Sequence, residues 1–454
     1  MDQFGAISLL PTVIVITMAI LTHRPIASLF AGVFAGILLI APTEIIGRLA
    51  DMTIQVAQDE TIGWVIMVCG LMGSLIYVLI LTGGASAFAN TIAKRANTRK
   101  KSLMVTWFLG LMMFIDDYLN AMVVGNAMKK ITDKFKISRA MLSYVVDSTA
   151  APTCVIVPIS TWAVFFAALL ESTNYADTGD GIRLYISAIP FMFYPFIALI
   201  IVPLVAMGKF PLLGQMKKAE KLAEQGIKTI EPYKDTEIEQ VKNNRNNNLE
   251  NNMWVFMLPL LALIGFSWYF EIDLLKGLIA TLLFTLPILI IRKFITFQQT
   301  MNGMIEGFKI MLPPLGIVFV AFMFKTVNDQ LGLPQYVIET LQPLMSPLFF
   351  PVIVFVAMAF ISFGTGSTWG IYAIAIPIVM PLGIAMEIPI PLIIGALLSA
   401  SSFGSHACFY GDATVLSAQS SGIGVVEHAL TQLPYALIAA FMTCVAYVTY
   451  MTII

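Results

Sequence analysis

The sequence predicts an all-α polytopic membrane protein of two inverted repeats, with about ten transmembrane helices and two re-entrant hairpins. Three observations predict it: the composition, the sorting of positive charge between loops, and polar breaks at matching places in the two halves. Of 454 residues, 58% are apolar and 12% charged, and the mean hydropathy is +0.85. A soluble domain carries roughly 45–50% apolar and about 25% charged residues. Apolar runs of about 17–25 residues recur along the chain, the length that a hydrocarbon core near 30 Å demands of a helix. The runs do not alternate, as strands of a membrane barrel would. The net charge of −1 carries no information on partners, because loop charge is sorted by side and not by sign. Nucleic acid is not an expected partner.

The first run, near 5–22, is preceded by no Lys or Arg and followed by no small-residue cleavage site, so no cleavable leader is expected. Spans follow near 25–41 and 61–82. The next apolar stretch, Leu103–Met128, has basic flanks on both sides: Lys94, Arg95, Arg99, Lys100 and Lys101 before it, and Lys129–Arg139 after it. Positive residues collect on the cytoplasmic side, so one plain span cannot connect these flanks. The polar break Asp116-Asp117-Tyr118-Leu119-Asn120 resolves the conflict by letting residues 103–128 enter and leave on one side as a re-entrant hairpin. A broken span at 141–170 and a span at 184–207 complete the first half.

The second half offers spans at 253–270, 277–291 and 308–325, a second hairpin at 347–383, a broken span at 389–419 and a last span at 429–452. The second hairpin breaks at Phe363-Gly364-Thr365-Gly366-Ser367-Thr368, and its flanks hold no Lys or Arg, so it enters from outside. Both chain ends fall outside too. Of the 26 Lys and Arg, all but Arg48, Arg183, Lys276 and Lys325 then lie on the cytoplasmic side. The expected organisation is a first inverted repeat at 1–207, a cytoplasmic linker at 208–252 with an Asn-rich run, and a second inverted repeat at 253–454. The four cysteines, Cys69, Cys154, Cys408 and Cys444, sit within apolar runs and suggest neither disulfides nor a zinc site.

Ionisable residues at membrane depth are costly and mark a pathway by default. Here they are Asp116, Asp117, Asp147, His406 and Asp412, clustered at the breaks. Sodium prefers oxygen ligands, which unwound backbone, carboxylates and hydroxyls supply at such breaks. The candidate sodium ligands are Asp117, Asp147, Ser148, Thr149, Asp412 and Thr414. The candidate substrate and proton pathway adds Asp116, Asn120, Ser160, Thr161, Gly364, Thr365, Gly366, Ser367, Thr368, Ser402, Ser405 and His406. A buried carboxylate is destabilised by desolvation and stabilised by a nearby cation, so one Asp can hold either a proton or sodium. No cofactor is expected, with Na+ as the transported or coupling ion.

Several of these stretches resemble the NhaC-type sodium/proton antiporter family, within the wider ion-transporter superfamily. They are Phe114-Ile115-Asp116-Asp117-Tyr118 through Ile131-Thr132-Asp133, then Ile137-Ser138-Arg139, Asp147-Ser148-Thr149-Ala150-Ala151-Pro152 and Ile159-Ser160-Thr161-Trp162. In the second half they are Gly366-Ser367-Thr368-Trp369-Gly370, Asp412-Ala413-Thr414-Val415-Leu416-Ser417 and Thr431-Gln432-Leu433-Pro434-Tyr435. The resemblance covers roughly residues 60–440. It implies an elevator-type transporter in a bacterial cytoplasmic membrane, with a homodimer-forming scaffold. The sequence departs from the family's Gly-Asp-His-Cys-Ser-Pro at Gly404-Ser405-His406-Ala407-Cys408-Phe409, where a carboxylate is missing at Ser405.

Two transport readings therefore stand: sodium/proton antiport through intramembrane carboxylates, and Na+- or H+-coupled carriage of a small organic acid or amino acid. An intramembrane aspartyl protease lacks its Gly-x-Gly-Asp form here, because Asp412 follows Phe409-Tyr410-Gly411. No phosphate-binding loop of the Gly-x4-Gly-Lys-Ser/Thr type is present, so ATP-driven transport by this chain is not expected. The chain is not expected to be an enzyme.

Overall fold

Backbone N–H and C=O groups in hydrocarbon have no water to bond, so an apolar chain must pair them internally. In the computed structural model, which describes residues 4–22, 24–177, 179–227, 252–271, 273–365, 368–409 and 411–453, every regular element is helical. The first half runs α1 (Leu10–Thr22), α2 (Pro25–Ile40), α3 (Ile45–Ala57), α4 (Glu60–Leu81), α5 (Gly84–Ala93), α6 (Arg99–Met112), α7 (Asp117–Lys134), α8 (Arg139–Ile156), α9 (Thr161–Ser172), α10 (Gly181–Ala188) and α11 (Phe193–Ala206). After α12 (Gly214–Glu224), the second half runs α13 (Trp254–Tyr269), α14 (Leu274–Ile291), α15 (Phe297–Ile310), α16 (Leu312–Leu331), α17 (Leu333–Leu341), α18 (Phe350–Thr365), α19 (Thr368–Ala385), α20 (Ile390–Ala407), α21 (Asp412–Ser421) and α22 (Val425–Ile453). Among the described residues, seven helices or helix pairs are long and apolar enough to cross a membrane. The pair Gly181–Phe191 and Phe193–Ala206, bent by 54°, makes eight.

The order of elements recurs. An apolar pair, an amphipathic helix, a long apolar helix and a short helix occur as α1 to α5 and again as α13 to α17. A helix pair split at a polar break follows in each half, α6–α7 and α18–α19, and then a broken helix, α8–α9 and α20–α21. The lengths match as well: α8 and α20 have 18 residues each, and α9 and α21 have 12 and 10.

The breaks have local causes. Pro158 biases Val157 out of the helical region, and Val157 is extended at φ −97° and ψ 119°. Ser160 then caps α9, its Oγ accepting from Ala163 N at 3.1 Å. Asp116 caps α7 in the same way, accepting from Leu119 N at 3.0 Å. In the second half Cys408 is extended, and Gly411 precedes α21 without a side-chain cap. Glycine lets the split pairs approach the broken helices. A Cβ on Gly110 would stand 2.0 Å from Thr149 Oγ1, and one on Gly404 would stand 1.8 Å from Ser362 Oγ. Close backbone approach of this kind is how helices pack where no hydrophobic effect drives them together.

Among the described residues, helices α3, α5, α12 and α17, and all but the last three residues of α15, fall where no span was expected. The expected span at 308–325 is divided at Met311 between α15 and α16, with Pro313 in the first turn of α16, where a missing N–H costs nothing. The joining segment is not uniform linker. Residues 214–224 are helical with Met216 and Glu220 buried, while the Asn-rich run at 243–251 lies outside the described residues.

Candidate functional site

Helices α8 and α20 are buried along almost their whole length, from Ala140 to Val155 and from Leu392 to Ala407. A polar side chain on either must find its partners inside the protein. Asp147, in the middle of α8, is 0% exposed. Its Oδ2 accepts from Gln432 Nε2 at 2.6 Å, contacts His428 Nε2 at 3.0 Å and accepts from Thr414 Oγ1 at 3.3 Å; its Oδ1 accepts from Ser417 Oγ at 3.4 Å. An ionised carboxylate only accepts, so in that state Nε2 of His428 carries the hydrogen. The partners come in helical register: Thr414 and Ser417 are three apart on α21, and His428 and Gln432 are four apart on α22. The Gln432 amide also donates to the His406 carbonyl. Two polar atoms at this centre, His428 Nδ1 and Gln432 Oε1, are buried without a hydrogen-bond partner.

Beside this centre His406 lies between two hydroxyls. Ser148 Oγ is 2.8 Å from Nε2 and Tyr194 OH, on α11, is 2.7 Å from Nδ1. Each hydroxyl can give or take a hydrogen, so the arrangement accommodates either tautomer.

A second polar group surrounds the 113–116 break, which the start of α9 meets. Thr161 N donates to Ile115 O at 2.9 Å, and Thr161 Oγ1 donates to Asp116 Oδ2 at 3.2 Å. Asn120 Nδ2 donates to the carbonyls of Gly110 at 2.7 Å and Thr149 at 2.9 Å. Asp117 Oδ1 and Asn120 Oδ1 are buried without a partner. Tyr118 OH donates to Asp412 Oδ2 at 3.0 Å, and Asp412 is exposed.

The six candidate sodium ligands are thus divided. Asp147 and Thr414 meet, Ser148 turns to His406, and the Thr149 hydroxyl donates back to Val145 O at 2.8 Å. Asp117 and Asp412 belong with the second group, together with Asp116, Asn120 and Thr161. Asp147 lies about 13 Å along α8 from its end at Ile156. Among the described residues no group of three or more His, Cys, Asp or Glu is placed to hold a metal. Ser160 serves the break, donating to Cys154 O at 2.5 Å. The Ser405 carbonyl accepts from Thr414 Oγ1 at 3.0 Å, and the buried Ser402 hydroxyl has no partner. Gly364 and Thr365 end α18, where Thr365 Oγ1 donates to Ser362 O at 3.3 Å. Gly366 and Ser367 lie outside the described residues, as does the side chain of Thr368.

His428, Gln432 and Tyr194 were not among the site residues expected from the sequence, although Gln432 stands in one of the stretches that carry the family resemblance. His428 sits one residue before the apolar run that marked the last span, and Tyr194 lies in an aromatic stretch with no polar neighbour to flag it. Helical spacing from Gln432 is the signal that could have found His428.

Apolar helices broken beside buried carboxylates and hydroxyls that face one another are what a multi-pass secondary transporter requires. The chain belongs to the Na+/H+ antiporter family, whose pattern matches residues 172–450. A protein of Haemophilus influenzae, to which no function is assigned, is 26% identical over 97% of this chain and 90% of its own length. The malate-2H(+)/Na(+)-lactate antiporter of Bacillus subtilis is 29% identical over 101 residues, 22% of each chain. Two solved structures share the fold. The YdaH transporter of Alcanivorax borkumensis has TM-score 0.64 at 12% identity, covering 90% of both chains. MtrF of Neisseria gonorrhoeae, described among antimetabolite efflux pumps, has TM-score 0.59 at 15% identity, covering 90% of this chain and 85% of its own.

Proposed function

We propose that the chain exchanges Na+ for H+ across a bacterial cytoplasmic membrane, with Asp147 as the carboxylate that both ions neutralise. One observation carries this reading: Asp147 is wholly buried, yet donors from α21 and α22 converge on it. A bare carboxylate in a low-dielectric interior is costly, so its charge must be met by a proton, a cation or several hydrogen bonds. The hydroxyls of Thr414 and Ser417 can serve either ion, since each has one hydrogen and two lone pairs and rotates freely between them. The test is a sodium pulse applied to proteoliposomes that contain no organic solute. Proton release that follows sodium supports exchange, and its absence rejects it.

The recurring order of elements supports two repeats, 1–207 and 253–454, joined by the linker at 208–252; the loop charges and the family resemblance add inversion, α6–α7 and α18–α19 as re-entrant hairpins, elevator motion and a scaffold that dimerises. Cysteines at positions 98 and 134 should then both label from the cytoplasm alone. Labelling from opposite faces removes the hairpin.

A second reading has its own support. Ser405 replaces the family's carboxylate, and the Bacillus relative is named for malate, lactate, protons and sodium. In this reading a small organic acid or amino acid is carried and ion flux appears only in its presence.

A further inference from the structure

The segment after α11 is polar and reads as a plain connection, yet it holds one of the most buried charges in the chain. Glu220, on α12, is 1% exposed. Its Oε1 accepts from Ser138 N at 2.9 Å, and its Oε2 pairs with the Arg99 guanidinium. Ser138 caps α8, and Arg99 opens α6 while its Nη1 donates to Lys136 O at 2.7 Å. The same segment takes hold of α22. Leu213 N donates to Tyr435 OH at 2.9 Å, and Tyr435 OH reaches Pro211 O at 3.4 Å. Met216, between these two attachments, is 0% exposed.

These attachments lie next to the candidate site. On α22, His428, Gln432 and Tyr435 are spaced four and three apart, so they share one face. On α8, Tyr144, Asp147 and Ser148 share a face by the same rule. The Tyr144 and Tyr435 rings stack at 4.8 Å between centroids, one helical turn from the Asp147–Gln432 contact. The α8–α22 interface therefore has two adjacent layers. One holds Asp147, and the other is fastened from the end by α12.

We infer that Glu220 is a positioning residue: it seats α12 as a bracket across α6, α8 and α22, and so keeps His428 and Gln432 in register with Asp147. The inference rests on the exchange reading for its transport consequence. The Glu220 carboxylate is buried while Arg99 is partly exposed, so desolvation of one partner offsets much of the attraction; what the pair supplies is a fixed geometry, which suits a bracket. The gap between the donors of α22 and the carboxylate of α8 is then set by a segment whose attachments are at Arg99, Ser138 and Tyr435.

The experiment uses the full chain, purified and reconstituted, with two readouts. The first is the sodium concentration giving half-maximal proton release. It should rise about tenfold in Glu220→Ala and less in Glu220→Gln, whose Oε1 still accepts from Ser138 N, with the maximal rate nearly unchanged. Tyr435→Phe keeps the ring stack but loses the hydroxyl, and should move the half-saturation in the same direction. The second readout is amide hydrogen exchange, which does not depend on what is transported. In Glu220→Gln, protection should fall in 139–149 and 425–436 as well as in α12. Faster exchange confined to α12, or an unmoved half-saturation in every variant, overturns the inference. If the wild type shows no sodium-driven proton release, the exchange reading falls, and the hydrogen-exchange pattern alone decides the bracket. Should Glu220→Ala fail to assemble, Glu220→Gln and Tyr435→Phe carry both measurements.

Discussion

Asp147→Asn, reconstituted beside the wild type, should lose at least about a hundredfold of sodium-driven proton release while the protein still inserts and folds. A hundredfold corresponds to roughly 2.7 kcal/mol, within what one buried, multiply bonded charge contributes. Asparagine matches aspartate in shape, so the packing of α8 against α21 and α22 survives. Its amide brings two hydrogens of its own to a place already supplied with donors from Gln432, His428, Thr414 and Ser417. It also has no charge for a proton or sodium to neutralise. Size-exclusion behaviour and thermal unfolding of the variant check that the protein is assembled. Exchange retained within about tenfold of the wild type would move the ion-binding role from Asp147 to the group around Asp117 and Asn120.

Apolar run length made the all-helical membrane architecture legible, because it follows directly from the bilayer. The breaks were legible for the same reason. Asp116-Asp117 and the Gly364–Thr368 stretch interrupt runs that lipid would otherwise keep apolar, whereas Asp147, expected at a break, stands inside the unbroken helix α8. The helices that do not cross were hidden. Helices α3 and α15 alternate polar and apolar residues at helical spacing, and α12 is too charged to resemble anything but linker. The site was half legible. Asp147, Ser148, His406 and Thr414 announce themselves as polar groups at depth, but which of them meet depends on how α8, α20 and α21 cross. His428 shows the limit of an apolar window, since Glu427 beside it ended the run and α22 nonetheless begins at Val425. The hydroxyls divide by local geometry that no spacing reveals. Thr149 bonds back to its own helix, whereas Thr414 reaches across to Asp147.

Ser405→Asp should separate the two transport readings, because it moves them in opposite directions. Ser405 is 4% exposed on α20, and its carbonyl accepts from the same Thr414 hydroxyl that donates to Asp147. The backbone of position 405 therefore stands one hydroxyl away from Asp147. A second carboxylate there would be a like charge in a low-dielectric interior, and two such anions cannot both stay bare. The pair is stabilised by a shared proton or by a cation, and it repels a carried organic anion. For an antiporter, sodium-driven proton release should persist, and the sodium needed for half-maximal rate should fall by about tenfold, roughly 1.4 kcal/mol of added attraction. For a carrier of organic acids, uptake measured across a panel of small carboxylates should drop by at least about the same factor. The measurement runs both assays on one reconstituted preparation. Loss of sodium-driven release together with retained organic-acid uptake would make the coupled carrier the better account of this chain.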